Sequence, residues 1–309
     1  MPSLRIISLI SSATEMLYAL GLGEKVVAVS HECDWPPDIA GKPRATISNI
    51  DAKRSSGEID HQVKQRLAAG EPLYGIDRDL IASLAPDLIV TQSQCDVCAV
   101  RLDDVRAMAA DRPELRQTRI VSLQPSRLQD IVDDILRLGA ATDRQLVAKQ
   151  FVADLQARVN RVRQHATQEV ARHDRRRAAI IEWTEPLMLA ANWTPELVEM
   201  AGGHCPLAVA GEHSRYHHWA EIAAFDPQVI VVAPCGFDLQ RSVQEAEHLQ
   251  QLPGWYDTAA ARAGRIFALD GNAYLNRSGP RIVDTLEILA ELFWGDNVPA
   301  AARRLNDAI

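Results

Sequence analysis

One eleven-residue pattern occurs twice in this chain. Leu80 to Val90 reads LIASLAPDLIV, and Glu221 to Val231 reads EIAAFDPQVIV. In each copy an apolar helical stretch runs into a proline, which lacks the N–H that a continuing helix needs. A short aliphatic run follows, of the length expected for a buried strand. The flanking segments keep the same alternation. RIISLI, KVVAVS and RIVSL read as strands in the first half, and RAAIIEW and RIFALD in the second. Helical patterns separate them: SATEMLYALGLG, with Ser12 or Thr14 to start it and Gly21 and Gly23 to stop it, then TPELVEMAGG and SGPRIVDTLEILAELFW. Apolar strands separated by helices argue for parallel sheets covered on both faces.

The middle of the chain has a different period. SRLQDIVDDILRL, residues 126–138, predicts a helix that stops at Gly139, and Thr142 with Gln145 has the spacing of a capping box. Leu146, Phe151, Leu155, Val159, Val162, Ala166 and Val170 then recur at gaps suited to one helical face. A helix of about 30 residues reaches roughly 45 Å, a stiff strut between two sheet-forming halves. The expected architecture is α/β: two similar lobes with parallel central sheets joined by a long interlobe helix. The expected parts are residues 1–125, 126–172 and 173–309.

Composition excludes several classes. The 309 residues are 47% apolar and 24% charged, as in ordinary globular chains, and carry a net charge of −8, which argues against a nucleic-acid partner. The densest basic run, Arg172 to Arg177, is short and reads as a solvated segment. No eighteen consecutive apolar residues exist to span a membrane. Glu15 interrupts the first apolar stretch, which reads as strand, turn and helix rather than as an export signal. The expected compartment is the cytoplasm if the chain is native as given, and the periplasm or another extracytoplasmic space if a leader has been removed. A compact monomer is expected.

The cysteines carry the first chemical signal. Five is an odd number, so a full disulfide framework is excluded. Cys33 lies in SHECDWPP after one strand, Cys95 and Cys98 follow Val90, and Cys235 follows Val232. Ligands of parallel α/β sheets sit at the carboxyl ends of the strands, so these thiols are expected at one edge. His31, Cys33, Cys95 and Cys98, with Cys235 from the second half, are candidate metal ligands. Thiolate and imidazole suit zinc, copper(I) or an iron–sulfur centre. A buried thiol also packs as a small apolar group, so the spacing leaves both readings open. Cys205 can face the same edge, and His213, His217 and His218 form a weaker histidine group. A thiol oxidoreductase is the poorest fit, because Asp96 between the cysteines disfavours a thiolate.

Trp35, Trp183, Trp193, Tyr216, Trp219 and Tyr274 fall at strand ends and loops. Flat rings lining a cleft suit a large, flat, partly apolar ligand. Asn276 and Arg277 precede the last helix and can hydrogen-bond its polar groups. No dinucleotide fingerprint, P-loop or nucleophile elbow is present. These features point to binding, not catalysis.

Taken together, RIISLISSATEMLYALGLGEKVVAVSHECDWPP, the two repeated units, GWYDTAAARAGRIFALD and SGPRIVDTLEILAELF resemble the helical-backbone substrate-binding proteins of ABC importers, over nearly the whole chain. SHECDWPP and NRSGPRI look most like the cobalamin-binding branch. The resemblance implies two Rossmann-like lobes of the chelatase-like, metal-receptor type. It implies a non-enzymatic protein holding a corrinoid, haem or siderophore between the lobes. The matching ligand-binding positions are His31, Cys33 and Trp35, Gln92, Trp183, Tyr216, His217 and Trp219, and Asn272, Tyr274, Asn276 and Arg277. It further implies an ABC permease partner docked through acidic residues. Glu221 matches on the second lobe, and the first offers Asp96 or Asp103. The cysteine set departs from the family pattern and suggests a branch adapted to the cytosol or to a thiophilic ligand. A cytosolic protein that handles zinc, another thiophilic metal or a metallated cofactor through His31 and the cysteines is the alternative.

Overall fold

The computed structural model of the protein describes residues 4–94, 97 and 99–305. It divides into two compact units. The N-terminal unit is the chain up to Pro125 together with Gln129–Ala153, and the C-terminal unit is Ser126–Leu128 together with the chain from Asp154.

The N-terminal unit contains β1 (Ile6–Ser8), α1 (Ser11–Ala19), β2 (Val26–Val29), β3 (Thr46–Ser48), α2 (Ser56–Ala68), β4 (Tyr74–Ile76), α3 (Arg78–Leu84), β5 (Leu88–Gln92), α4 (Leu102–Asp111) and β6 (Arg119–Leu123). Most of α5 (Leu128–Ala141) also belongs to it. The main sheet is parallel, in the order β2-β1-β5-β6. β1, β2 and β5 are short aliphatic runs buried almost throughout, as the inner strands of a covered parallel sheet are, while β6 at the edge is largely half-buried. Ile7, Leu9, Ala28 and Ile89 form one core with Ile81 from α3 and Val105 and Met108 from α4. Fully burying each of the larger of these side chains contributes about 1.5–3 kcal/mol. β3 and β4 form a separate antiparallel pair that registers Thr46 with Ile76 and Ser48 with Tyr74.

The chain continues through α6 (Gln145–His173), whose residues fall in both units, to β7 (Arg176–Thr184), β8 (Leu187–Leu189), α7 (Thr194–Met200), β9 (Gly203–His204), β10 (Arg215–Tyr216), α8 (Trp219–Phe225), β11 (Val229–Val232), α9 (Leu239–Leu249), α10 (Ala259–Arg262), β12 (Ile266–Leu269), α11 (Ile282–Trp294) and β13 (Ala302–Arg304). The second sheet has the order β10-β8-β7-β11-β12-β13, with β9 also paired to β7. β7, β11 and β12 are parallel, whereas β8, β10 and β13 run antiparallel to their neighbours. Ala179, Ile181, Ile230, Val232 and Ala268 pack against Ala246 and Leu249 of α9 and against Trp255.

The repeated sequence unit is a repeated structure. α3 ends at Ala85 and α8 at Asp226, both left-handed at φ 39° and 50°, each followed by proline and then by β5 or β11. Asp87 N donates to Arg5 O at 2.9 Å, and Gln228 N donates to Arg177 O at 2.7 Å, so each copy locks its strand beside the first strand of its sheet in the same way.

The strut is one unbroken helix of 29 residues, close to the expected length. Two details of it differ from the sequence expectation. Thr142 does not cap it: α6 starts at Gln145, and the Thr142 hydroxyl donates back to Leu138 O at 2.7 Å, satisfying an end carbonyl of α5 instead. Leu146 is 82% exposed and lies off the apolar face, while Ala148 is fully buried. The cause is close packing of α5 on α6, where a Cβ on Gly139 would lie 2.5 Å from Ala148 Cβ.

Candidate functional site

In the N-terminal unit, the strand ends carry a loop, Ser30 to Trp35, that its own backbone and neighbours hold tightly. Arg44 Nη1 donates to Cys33 O at 2.6 Å and to Ser30 O at 3.0 Å, Ser11 Oγ donates to Glu32 O at 2.9 Å, and Cys33 N donates to Ser30 O at 3.1 Å. His31 sits on this loop. Both its backbone N (3.0 Å) and its Nδ1 (2.7 Å) are bonded to Thr46 Oγ1. The ring lies against Tyr74, centroids 5.3 Å apart. Tyr74 in turn donates its hydroxyl to Val97 O at 2.9 Å, which ties β4 to the segment after β5.

Cys33 points into the protein. It is 2% exposed, and its Sγ lies 3.1 Å from Thr14 Oγ1, below the loop that presents His31. Trp35 is 46% exposed. Gln92 is buried, and its Oε1 accepts from Gln94 N at 2.6 Å, so this amide shapes the loop after β5. Cys95, Asp96 and Cys98 lie outside the described residues. Among the described residues, no three His, Cys, Asp or Glu side chains come together as metal donors.

In the C-terminal unit, the strand ends carry aromatics. Tyr216 registers with Met188, and Met188 with Trp183, across β10, β8 and β7. Residues opposite one another on paired strands share a face, so the three side chains form one row. Trp183 continues it edge-to-face onto Phe237, centroids 5.4 Å apart, and the Arg241 guanidinium covers Phe237 at 3.6 Å. Trp183 Nε1 donates to Glu185 O at 2.9 Å, which fixes the ring. Met188 and Phe237 were not singled out by sequence. A three-residue antiparallel strand after a proline gives no periodic signal.

Cys235 is exposed, and its backbone N donates to Glu182 O at 3.0 Å. The half-buried Glu182 carboxyl is pushed up to about 7, chiefly by burial, with the Ser214 hydroxyl bond acting against the shift. After β12 comes one turn of π-helix, Gly271–Leu275, a geometry found often at functional sites. Asn276 Nδ2 donates to Ala233 O at 2.9 Å and to Gly271 O at 3.3 Å, so it joins this turn to the end of β11. The buried Arg277 donates through Nη2 to Asn272 Oδ1 at 2.8 Å, and Tyr274 lies under the Arg281 guanidinium at 5.7 Å.

Other aromatic and histidine candidates are used locally. Trp193 is buried, with its Nε1 bonded to Leu275 O at 3.1 Å, and is a core residue. Trp219 packs on Trp255 at 5.0 Å and donates to Pro253 O at 2.8 Å. His217 Nδ1 lies 3.2 Å from Glu221 Oε2, which also accepts from His218 N at 3.3 Å. These bonds, the His217 one first, hold the exposed Glu221 carboxyl below its usual range.

The family model described as periplasmic binding protein matches residues 6–273. The chain belongs to that family. It is 26% identical to the vitamin B12-binding protein of Vibrio cholerae over 298 residues, covering 93% of this chain and 87% of that one. The crystal structure of the V. cholerae periplasmic vitamin B12-binding protein BtuF superposes with a TM-score of 0.66 at 24% identity, covering 94% of this chain and 97% of that one. The periplasmic haem-binding protein RhuT from Roseiflexus gives a TM-score of 0.69 at 21% identity, covering 94% and 98%. The two α/β units and the long α6 are the helical-backbone fold of these structures. The family is a transport class of substrate-binding proteins, without catalysis. No helix among the described residues is long and apolar enough to cross a membrane.

Proposed function

We propose that this protein binds a metal chelate, a corrinoid before others, and delivers it to an ABC permease. The carrying observation is the row Tyr216, Met188, Trp183 and Phe237, with Tyr216 57% exposed, beside the polar turn that holds Asn272 and Arg277. A flat apolar strip bordered by an arginine suits a macrocycle with polar substituents. The relationship to vitamin B12-binding proteins supports the corrinoid among the chelates. On this reading Glu221 on α8 docks the permease.

The test is titration of purified protein with cyanocobalamin, haemin and ferrichrome, followed by absorbance and calorimetry. Saturable one-to-one binding of the corrinoid is expected. Trp183→Ala should weaken it about tenfold, equivalent to about 1.4 kcal/mol. Absence of binding to all three ligands sinks the reading.

A further inference from the structure

Tyr216, at one end of the row, stands on a weak strand. β10 has two residues, both exposed, and lies at the edge of its sheet. Exposed segments with few buried contacts open most easily. The residues before β10 supply a hold that so short a strand lacks. Gly211 N donates to Asn192 O at 2.9 Å, Asn192 N to Glu212 O at 2.8 Å, and Ala191 N to Ser214 Oγ at 3.0 Å. Arg215 and Tyr216 then register with Leu189 and Met188. The ion pair between Glu212 and Arg215 joins this loop to itself. A charged group also reaches the loop from a distant part of the chain. Arg127 Nη2 donates to Ala210 O at 2.9 Å, and Nη1 donates to Glu196 Oε1 at 3.2 Å. The other oxygen of Glu196 accepts from Leu128 N at 2.8 Å. Gly211 has φ 82°, and a Cβ on it would lie 2.8 Å from Arg127 Nε, so the guanidinium lies directly against the loop backbone. Ser126–Leu128 is a short stretch of the C-terminal unit set between Pro125 and Gln129 of the other unit, and these bonds attach it there.

We infer that Arg127 is a positioning residue for the ligand: it fixes the loop from Ala210 to Ser214 and so holds Tyr216 in the row before the ligand arrives. The inference rests on the chelate-binding reading above and adds to it a residue outside the row. Ordering the ring in the free protein removes a cost that binding would otherwise carry. The planar guanidinium serves Ala210 O and Glu196 at once, a geometry that a lysine ammonium on its flexible stem does not reproduce. A second route starts from the same place. Trp193, next to Asn192, donates through Nε1 to Leu275 O at the end of the π-turn, and along it a disturbed Arg127 would act on Asn272 and Arg277 instead. The two routes differ in whether Tyr216 is needed.

The test is a double-mutant cycle on the native protein, Arg127→Met, Tyr216→Ala and the pair. The probe is whichever of cyanocobalamin, haemin and ferrichrome the native protein binds most tightly, and calorimetry gives the affinities. Arg127→Met should weaken binding about threefold to tenfold when Tyr216 is present, and by less than about twofold beside Tyr216→Ala. Arg127→Lys should fall between the native protein and Arg127→Met. Amide hydrogen exchange of ligand-free Arg127→Met should quicken over residues 210–216 while β7 and β11 keep their native rates. Circular dichroism checks that each variant is folded, and Arg127→Lys carries the cycle if Arg127→Met is not. Equal losses in the two backgrounds assign the effect to the π-turn or to the fold at large and overturn the inference. So does an Arg127→Met protein of native affinity, or one whose exchange over 210–216 is unchanged. In each of those cases the chelate-binding reading stands, whereas a native protein that binds none of the three probes ends both.

Discussion

Arg158 on α6 grips Glu287 on α11 with both carboxylate oxygens engaged, Nε to Oε1 at 2.9 Å and Nη2 to Oε2 at 2.6 Å, and Nη2 also reaches Asp284. Bidentate arginine–carboxylate pairs are the stronger kind of ion pair. The Arg158 side chain is 29% exposed, so solvent screens part of the gain. Arg158→Met keeps the apolar stem and removes the charge. It leaves two carboxylates facing each other and should destabilise the fold by about 1–2 kcal/mol. Urea denaturation at low and high salt checks this, and the deficit should shrink as salt rises.

The pH dependence of stability has a definite sign. The Glu182 carboxyl is raised from 4.5 to about 7, chiefly by burial. Between those values the folded chain holds a proton that the unfolded chain has released. The stabilisation is therefore complete below about 4.5 and is lost as pH climbs to about 7. Asp134 on α5 adds in the same direction, raised from 3.8 to about 6 by burial against the pull of Arg137. Stability measured by urea denaturation should fall across this window, and Glu182→Gln should flatten the upper part of the fall. A native curve that rises with pH through the window contradicts the assignment.

The thiols should differ sharply in reactivity. Cys235 is exposed, Cys205 is half-buried with its thiol pushed up by burial, and Cys33 is 2% exposed. Since the thiolate is the reactive form and must be reached, among these three iodoacetamide should label Cys235 first, Cys205 slowly, and Cys33 only after unfolding. Peptide mass spectrometry against time reads the order. Early labelling of Cys33 would show that its loop opens in the native state.

The repeated helix–proline–strand units and the strut were legible because each is set by local chemistry: proline stops a helix, and a sustained 3.6-residue period has few other solutions. The direction of Cys33 was not. The carboxyl-edge rule places a loop, but only the Thr14 contact decides which of its side chains turns inward. His31 was legible as a candidate, whereas its partner Thr46 was not, being fifteen residues away and brought close by packing. The row through Met188 depends on the register of a three-residue strand, and register is a tertiary property. Asn272, Tyr274, Asn276 and Arg277 fall in or directly after one turn, and their local bonds, Asn276 donating to two backbone carbonyls and Arg277 donating to Asn272, depend on how that turn packs on β11, which sequence spacing does not give.

The role of that turn can be tested at Gly271. A Cβ there would meet Pro234 O at 2.2 Å and Ala233 O at 2.6 Å, both rigid backbone atoms at the end of β11. Gly271→Ala must push the π-turn away from the strand, stretching the Asn276 bonds and shifting Asn272 and Arg277 with them. Overpacking of this kind costs about 1–3 kcal/mol. The control is Gly236→Ala. Gly236 has φ 76° and open space around its would-be Cβ. Alanine there pays only the left-handed backbone cost, about 1–2 kcal/mol. The two variants should therefore lose comparable stability, while Gly271→Ala alone should weaken cyanocobalamin binding severalfold. Equal affinities in the two variants would mean that the turn contributes to the fold and not to the ligand.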